Sequence, residues 1–190
     1  KTCCQLLGPQ YILLRKEFSE ARKSLLPRNG KVRRILIFFG SSDPTNETTK
    51  ALKTLQQLDL QGINIDVIVG KNNQCIPEIE RLIPLTLNTK LYIQTNNMAE
   101  LMAAADLALG SGGSAIWERH FLGLPTITII TTDHQIEATE AVEHFKTIWN
   151  LGWYEDVSTS ILANAITYAL ENPKTLKAMS EKALAIFKVL

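Results

Sequence analysis

A glycine- and serine-rich stretch between two apolar segments is the part of this sequence whose residue types best suit ligand binding. Leu107–Leu109 predicts a short strand, Gly110–Ser114 a turn, and Ser114–Leu122 an amphipathic helix. Glycines let the backbone approach a phosphate closely, and the first N–H groups of a helix point toward such an anion. The pattern therefore indicates an anion-binding turn, although tight strand-to-helix turns that bind nothing share it.

A carboxylate lies close to this turn in the sequence. Glu118 follows Ser114 by four residues, so both side chains can face the same side of a helix. An acidic group would repel a phosphate placed beside it, but it suits a ligand that also presents hydroxyl groups. A nucleotide ribose is such a ligand, and the alternative is that Glu118 is an ordinary solvated helix residue.

The elements that position these residues alternate between apolar segments and amphipathic segments. Such alternation predicts an α/β fold, with a parallel sheet, helices on both faces and right-handed crossovers. Asp43 and Pro44 predict the start of the helix after the first strand, because Asp is a favoured N-cap and Pro a favoured first residue. The predicted strands are 34–39, 63–69, 91–93, 107–109, 126–130 and 152–154.

Three polar turns follow strands of the predicted sheet. Ser41 and Ser42 follow the first strand, Gly110–Ser114 the fourth, and His134 and Gln135 the fifth. In parallel α/β sheets, ligands bind at the carboxyl ends of the strands, where the strand order reverses. We therefore expect the three turns to meet in one crevice.

Composition and charge exclude several functional classes. The chain has 190 residues, 45% of them hydrophobic, and a net charge of +1 without long runs of either sign. These features argue against a nucleic-acid partner, and no apolar run is long enough to span a membrane. The cysteines Cys3, Cys4 and Cys75 have no zinc or disulfide spacing, so we expect reduced thiols in a cytoplasmic protein.

Motif patterns narrow the choice of ligand. The turn after the first strand reads Gly-Ser-Ser-Asp-Pro-Thr, which is not the G-x-G-x-x-G pattern of dinucleotide sites, and no G-x-x-x-x-G-K-[ST] loop is present. NAD and ATP sites of the usual kinds are therefore not expected. No paired carboxylates accompany the crevice, so the sequence indicates neither a cofactor nor a metal. Backbone N–H groups can carry diphosphate charge instead.

Several segments of the sequence together carry a resemblance to a known family. They are Leu7-Gly8-Pro9-x-Tyr11-x-Leu13-Leu14-Arg15-x-Glu17-Phe18, Phe39–Asp43, Met98–Met102, Gly112-Gly113-Ser114-x-x-Trp117-Glu118-Arg119, Leu122–Pro125 and Asp133–Gln135. With these segments the sequence resembles, at family level, the UDP-2,4-diacetamido-2,4,6-trideoxy-β-L-altropyranose hydrolases of pseudaminic acid biosynthesis and the related spore coat polysaccharide proteins. The resemblance covers most of residues 6–145 and implies a Rossmann-like domain, the C-terminal half of the GT-B architecture.

The resemblance implies a set of UDP-sugar contacts. Gly112, Gly113, Ser114 and the N–H of Ala115 would hold the diphosphate, and Ser41, with Ser42 beside it, would lie near the diphosphate from the other side. Glu118 would accept hydrogen bonds from the ribose hydroxyls, and the loop after Ile93 would contact the uracil. Gln135 and its preceding residue would contact the sugar or the β-phosphate; that preceding residue is usually Asn in the family and is His134 here.

The resemblance also implies a division of labour between domains. We expect residues 1–30 to form an inter-domain arm and residues 31–190 to form the nucleotide-sugar-binding domain. The family's catalytic histidine lies in an N-terminal domain, so no catalytic residue is expected in this chain, which reads as a piece of a longer one. The intact enzyme would release UDP and a free 2,4-diacetamido sugar. A glycosyltransferase donor-binding domain and a non-catalytic nucleotide-sugar-binding module are the alternatives.

Overall fold

The computed structural model describes residues 8–86 and 88–187, and it is built on a six-stranded parallel sheet. The strands are β1 (Arg34–Phe38), β2 (Asn64–Val69), β3 (Thr89–Ile93), β4 (Leu107–Ser111), β5 (Thr126–Ile130) and β6 (Ile148–Trp153). Their order is β3-β2-β1-β4-β5-β6, and neighbouring strands are parallel throughout. This arrangement confirms the predicted fold class.

Helices cover both faces of the sheet. They are α1 (Lys16–Lys23), α2 (Glu47–Leu55), α3 (Ile76–Leu82), α4 (Met98–Ala104), α5 (Ala115–Phe121), α6 (Ile136–His144), α7 (Thr159–Glu171) and α8 (Pro173–Ile186). Short 3₁₀ turns occupy Pro9–Tyr11, Ile83–Leu85 and Asp133–Gln135. Within the described ranges, no helix combines the length and the apolar character that a membrane crossing requires.

Successive residues of β1 belong to two different hydrophobic cores. Ile35 and Ile37 pack with helices α2 and α7, whereas Leu36 packs with α4, α5 and the aromatic side chain of Phe18 from α1. Side chains of a strand alternate between faces, so a strand covered on both sides reads as an uninterrupted apolar run. This double burial explains why the sequence predicts β1 so clearly.

Several predicted boundaries are wrong, and β3, for example, begins at Thr89 rather than at Leu91. β4 continues through Gly110 and Ser111, which pair with β5, so the turn before α5 is shorter than expected. β6 begins at Ile148 rather than Gly152, because its backbone pairs with β5 from Thr126 onward. α2 begins at Glu47 rather than at Pro44, although Asp43 still accepts hydrogen bonds from the first N–H groups of the helix.

Asp43 explains the late start of α2. Its backbone is left-handed, with a φ of 41°, and its buried carboxylate accepts the N–H groups of Glu47 at 3.0 Å and Thr48 at 2.8 Å. The prediction of Asp43 as the N-cap and Pro44 as the first helical residue is therefore wrong: Asn46 is the N-cap, Pro44 lies in the turn before it, and Asp43 accepts the first helical donors from further back. Cys3, Cys4 and the last three residues, 188–190, lie outside the described residues.

The segment before β1 is fastened to the sheet region by Arg28. Its buried guanidinium donates hydrogen bonds to the carbonyl oxygens of Met102, Ala103, Ala105, Leu122 and Gly123, which lie at the carboxyl ends of α4 and α5. Burial lowers the pKa of Arg28 to about 10, so the side chain remains protonated at neutral pH. One cation thus caps two helices.

His120 lies in an aromatic pocket behind α5. Its ring packs near Trp117, Phe145 and Phe187, and its Nδ1 lies 3.2 Å from the hydroxyl of Thr147. Burial lowers the pKa of His120 to about 4. The imidazole is therefore neutral in the folded chain, and it serves packing.

We predict that His120 makes the fold acid-sensitive. Its folded pKa lies below the unfolded value of about 6.5, so its stabilisation is complete above that pH and is lost as the pH falls toward 4. Between about pH 7 and about pH 4.5, wild type should lose about 2 kcal/mol more unfolding free energy than His120→Gln. Urea denaturation at both pH values measures this difference. The exposed His144 gives the control, since His144→Gln should behave as wild type.

Candidate functional site

The carboxyl ends of β1, β4 and β5 meet at one edge of the sheet and enclose a cleft of about 350 Å³. Its lining comes from the ranges 38–44, 111–115 and 131–135. The strand order reverses between β1 and β4, which is where α/β sheets bind ligands. The volume lies within the range of about 300–1,000 Å³ that is usual for small-molecule sites.

Most of the residues singled out in the sequence line this cleft. Those that do are Ser41, Ser42, Gly113, Ser114, Ala115, His134 and Gln135. Gly112 is buried beneath the turn, and Glu118 and Ile93 are not part of the cleft lining. Ile93 ends β3, which is separated from β1 by β2. Ligand binding by any of these residues stays a prediction.

A larger cleft of about 510 Å³ lies at the opposite end of the strands. It contains Arg28 and Asp106, but both side chains are engaged within the fold. Arg28 donates to five carbonyl groups, and Asp106 accepts the N–H groups of Arg33 and Arg34. These polar groups have a structural use, so the smaller cleft is the better candidate.

The two glycines of the turn after β4 have different surroundings. A Cβ added to Gly112 would lie 1.9 Å from the hydroxyl oxygen of Thr139, so glycine is needed there for α6 to pack against the turn. A Cβ added to Gly113 would meet its nearest atom at 3.8 Å. Packing therefore explains Gly112, whereas nothing in the described fold requires the missing side chain of Gly113.

Gln135 holds the turn in place. Its buried side-chain oxygen accepts the N–H of Gly112 at 3.2 Å and that of Thr131 at 3.1 Å, and its amide nitrogen donates to the Thr131 hydroxyl at 3.1 Å. The resemblance assigns Gln135 to the sugar or the β-phosphate. In this structure its carboxamide joins the turns after β4 and β5, and it already uses the Gly112 N–H.

Donor groups remain on the cleft side of the turn. The N–H groups of Gly113, Ser114 and Ala115 have no acceptor among the described residues, since the first bond after the turn runs from Ile116 N–H to the Gly113 carbonyl. The side chain of Ser114 is exposed, as are those of Ser41 and Ser42 across the cleft. His134 is exposed and lies 3.3 Å from the Thr132 hydroxyl. This edge of the cleft is rich in donors and suits an anion.

Glu118 has a cationic partner from a distant part of the chain. The Arg15 guanidinium lies 3.3 Å from the Glu118 carboxylate and 2.7 Å from that of Glu17. Burial raises the pKa of Glu118, and the nearby Arg15 opposes that shift. Nothing in the sequence pattern indicates the Arg15–Glu118 contact, because the two residues are 103 positions apart.

The sequence matches a known domain family and two relatives. Residues 34–190 match the model described as "Glycosyltransferase family 28 C-terminal domain". An uncharacterized protein of Methanocaldococcus jannaschii is 38% identical over 135 residues, and the spore coat polysaccharide biosynthesis protein SpsG of Bacillus subtilis is 31% identical over 129. The matches cover 68% and 67% of this chain but only 28% and 38% of those relatives.

Solved structures share the fold at low sequence identity. WaaG, a glycosyltransferase of lipopolysaccharide biosynthesis, superposes with a TM-score of 0.65 at 19% identity, over 94% of this chain and 48% of its own. UDP-GlcNAc 2-epimerase from Neisseria meningitidis, solved with UDP-GlcNAc bound, gives 0.62 at 19% identity, over 90% and 44%. The sheet and its helices therefore match the C-terminal domains of GT-B enzymes.

We predict that alanine destabilises the fold at Gly112 but not at Gly113. Gly112→Ala should lower the free energy of unfolding by about 1–3 kcal/mol, because its Cβ collides with Thr139, whereas Gly113→Ala should change it by less than about 0.5 kcal/mol. Urea denaturation measures both. Adding Thr139→Ala to Gly112→Ala removes the colliding hydroxyl and should recover part of the loss. Equal losses at both glycines would contradict the packing explanation.

Proposed function

The chain belongs to the family of glycosyltransferase family 28 C-terminal domains, and from that membership we propose that it is the donor-binding domain of a GT-B glycosyltransferase that uses a UDP-sugar. The single observation that carries the proposal is that the N–H groups of Gly113, Ser114 and Ala115, residues that line the cleft at the strand-order reversal, have no acceptor in the described part of the chain. Phosphate oxygens accept hydrogen bonds from such groups, and the turn is held rigidly from behind by Gln135.

We assign the ribose to Glu118. Glu118 lies one turn of α5, about 5.4 Å, beyond the N–H groups of the turn after β4. This separation is compatible with a diphosphate at the turn and its adjoining ribose at Glu118. Arg15 lies against Glu118 in this structure, so a bound ribose would share the carboxylate with Arg15 or displace it. Uracil would then contact the backbone after Ile93, as the sequence resemblance implies.

The choice of uridine rests on two further supports. The sequence resembles a family whose substrates are UDP-sugars. The Neisseria epimerase with the same fold was solved with UDP-GlcNAc bound. The other half of the proposed enzyme, with its acceptor and catalytic residues, is assigned to an N-terminal domain of a longer protein. That assignment is consistent with the 28–38% of the relatives' lengths that the matches cover.

Hydrolysis of the nucleotide sugar is the second candidate function. It is favoured by the segments shared with the pseudaminic acid hydrolase family and by the 31% identity to SpsG, a protein named for spore coat polysaccharide biosynthesis. In that case water would replace the acceptor hydroxyl, and a 2,4-diacetamido-2,4,6-trideoxy sugar would be released. The donor-binding residues proposed above would serve both reactions.

Calorimetry with UDP, ADP and GDP tests nucleotide binding by this chain. We predict binding of UDP in preference to the other two, and a ten- to hundredfold weaker affinity in Glu118→Gln, about the value of hydrogen bonds to a charged acceptor. Glu137, exposed on α6, supplies the control, because Glu137→Gln should bind UDP as wild type does. Equal binding of all three nucleotides, or of none, would refute the proposal.

An activity assay on the full-length protein distinguishes sugar transfer from hydrolysis. We predict that UDP release from a UDP-sugar requires an added acceptor alcohol, because the family model that matches residues 34–190 is that of a glycosyltransferase. Coupled detection of UDP, with chromatography of the sugar product, measures both outcomes. Release of free sugar in equal amount to UDP without acceptor would instead establish the hydrolase.

A further inference from the structure

Arg119 is a buried cation directly behind the floor of the cleft. The residue is 1% exposed and follows Glu118 on α5. Its Nη2 donates to the carbonyl oxygen of Ser111 at 2.6 Å, and Ser111 itself lines the cleft. The guanidinium therefore binds the backbone of a residue that lines the cleft.

The sheet leaves room for this guanidinium. A Cβ added to Gly110 would lie 2.7 Å from the Arg119 Nη1 and 2.7 Å from the Phe38 carbonyl oxygen. The glycine in β4 thus leaves the space that the cation occupies next to the paired ends of β1 and β4, where the strand order reverses. An alanine at this position would compete with Arg119 for the same volume.

The surroundings of Arg119 offer few hydrogen-bond partners or opposite charges to offset the burial of its positive charge. Its Nε and Nη1 have no hydrogen-bond partner among the described residues, and it forms no ion pair within them. The neighbouring Glu118 carboxylate raises the pKa of Arg119, but that carboxylate already pairs with Arg15. Burial lowers the pKa of Arg119 to about 10, so the side chain stays charged at neutral pH.

An unpaired buried charge is costly, and replacement by an apolar residue of similar volume often stabilises a protein. Arg28 shows the contrast within the same chain, because its guanidinium donates to five carbonyl oxygens. Arg119 donates to one. A contribution to stability therefore explains why Arg28 is buried, but it does not explain why Arg119 is buried. A bound anion in front of Ser111 would supply the missing counter-charge.

We propose that Arg119 is a positioning residue for the diphosphate of the nucleotide, which it attracts electrostatically from behind the cleft floor without touching it. This inference rests on the proposed function. Charges interact strongly across a short, water-free layer of protein, so a cation in this place favours a charged ligand over a neutral one. The front of the turn then supplies hydrogen-bond donors, and Arg119 supplies the charge.

The test compares UDP with uridine, which lacks phosphate, in the wild type and in Arg119→Met. We expect Arg119→Met to lower the ratio of UDP affinity to uridine affinity by about tenfold and to leave uridine affinity near its original value. Arg119→Lys keeps the charge and should keep the ratio within about threefold of wild type. Arg81, exposed on α3, is the control: Arg81→Met changes net charge equally and should not alter the ratio.

A purely structural role would lower UDP and uridine affinity by the same factor, and that result would overturn the inference. Calorimetry measures UDP, and ligand-observed NMR measures the weaker uridine. If Arg119→Met fails to fold, Arg119→Gln removes the charge with a polar side chain and is compared with Arg119→Lys in the same way. A wild type that binds no UDP refutes the proposed function and this inference together, whereas UDP binding with an unchanged ratio refutes only the inference.

Discussion

The carboxamide of Gln135 is the interaction on which the geometry of the cleft depends. It connects the turn after β4 with its own turn after β5, because its oxygen accepts N–H groups from both Gly112, which is 23 residues away, and Thr131. Parallel strands bring these turns to the same edge, but strand pairing alone does not fix how a turn leaves its strand. A buried amide with its acceptor shared between both turns does fix it, and buried hydrogen bonds of this kind favour one arrangement.

Packing and hydrogen bonding divide the turn after β4 into an inner and an outer part. Gly112 faces inward, where Thr139 fills the space that a side chain would need and Gln135 takes its N–H. Gly113 and Ser114 line the cleft, and within residues 8–86 and 88–187 nothing accepts from their N–H groups. A ligand that accepts from these donors would not have to reorganise the turn, and preorganisation of this kind reduces the cost of binding. The neighbouring glycines therefore have separate reasons to be present.

The sequence predicts the sheet and the convergence of three turns, because apolar runs and strand–helix alternation are local signals. The sequence does not predict which side of the turn Gln135 faces, since a polar residue after a strand suits a ligand and an internal hydrogen bond equally. Arg119 in the sequence Trp117-Glu118-Arg119 reads as a solvated helix residue, and only the packing of α5 against β4 shows that it is buried. The contact between Arg15 and Glu118 depends on tertiary structure alone.

Arg28 has a practical consequence for anyone who trims this protein to a smaller folded unit. A fragment that starts at Lys31, where the sheet region begins in sequence, would leave five carbonyl oxygens at two helix ends without their donor. It would also open the apolar slot that the Phe18 ring fills. One of those helices, α5, carries Arg119 and begins at the cleft. Cleavage of the leading segment by a protease would therefore loosen the carboxyl end of α5 and alter the cleft at its amino end.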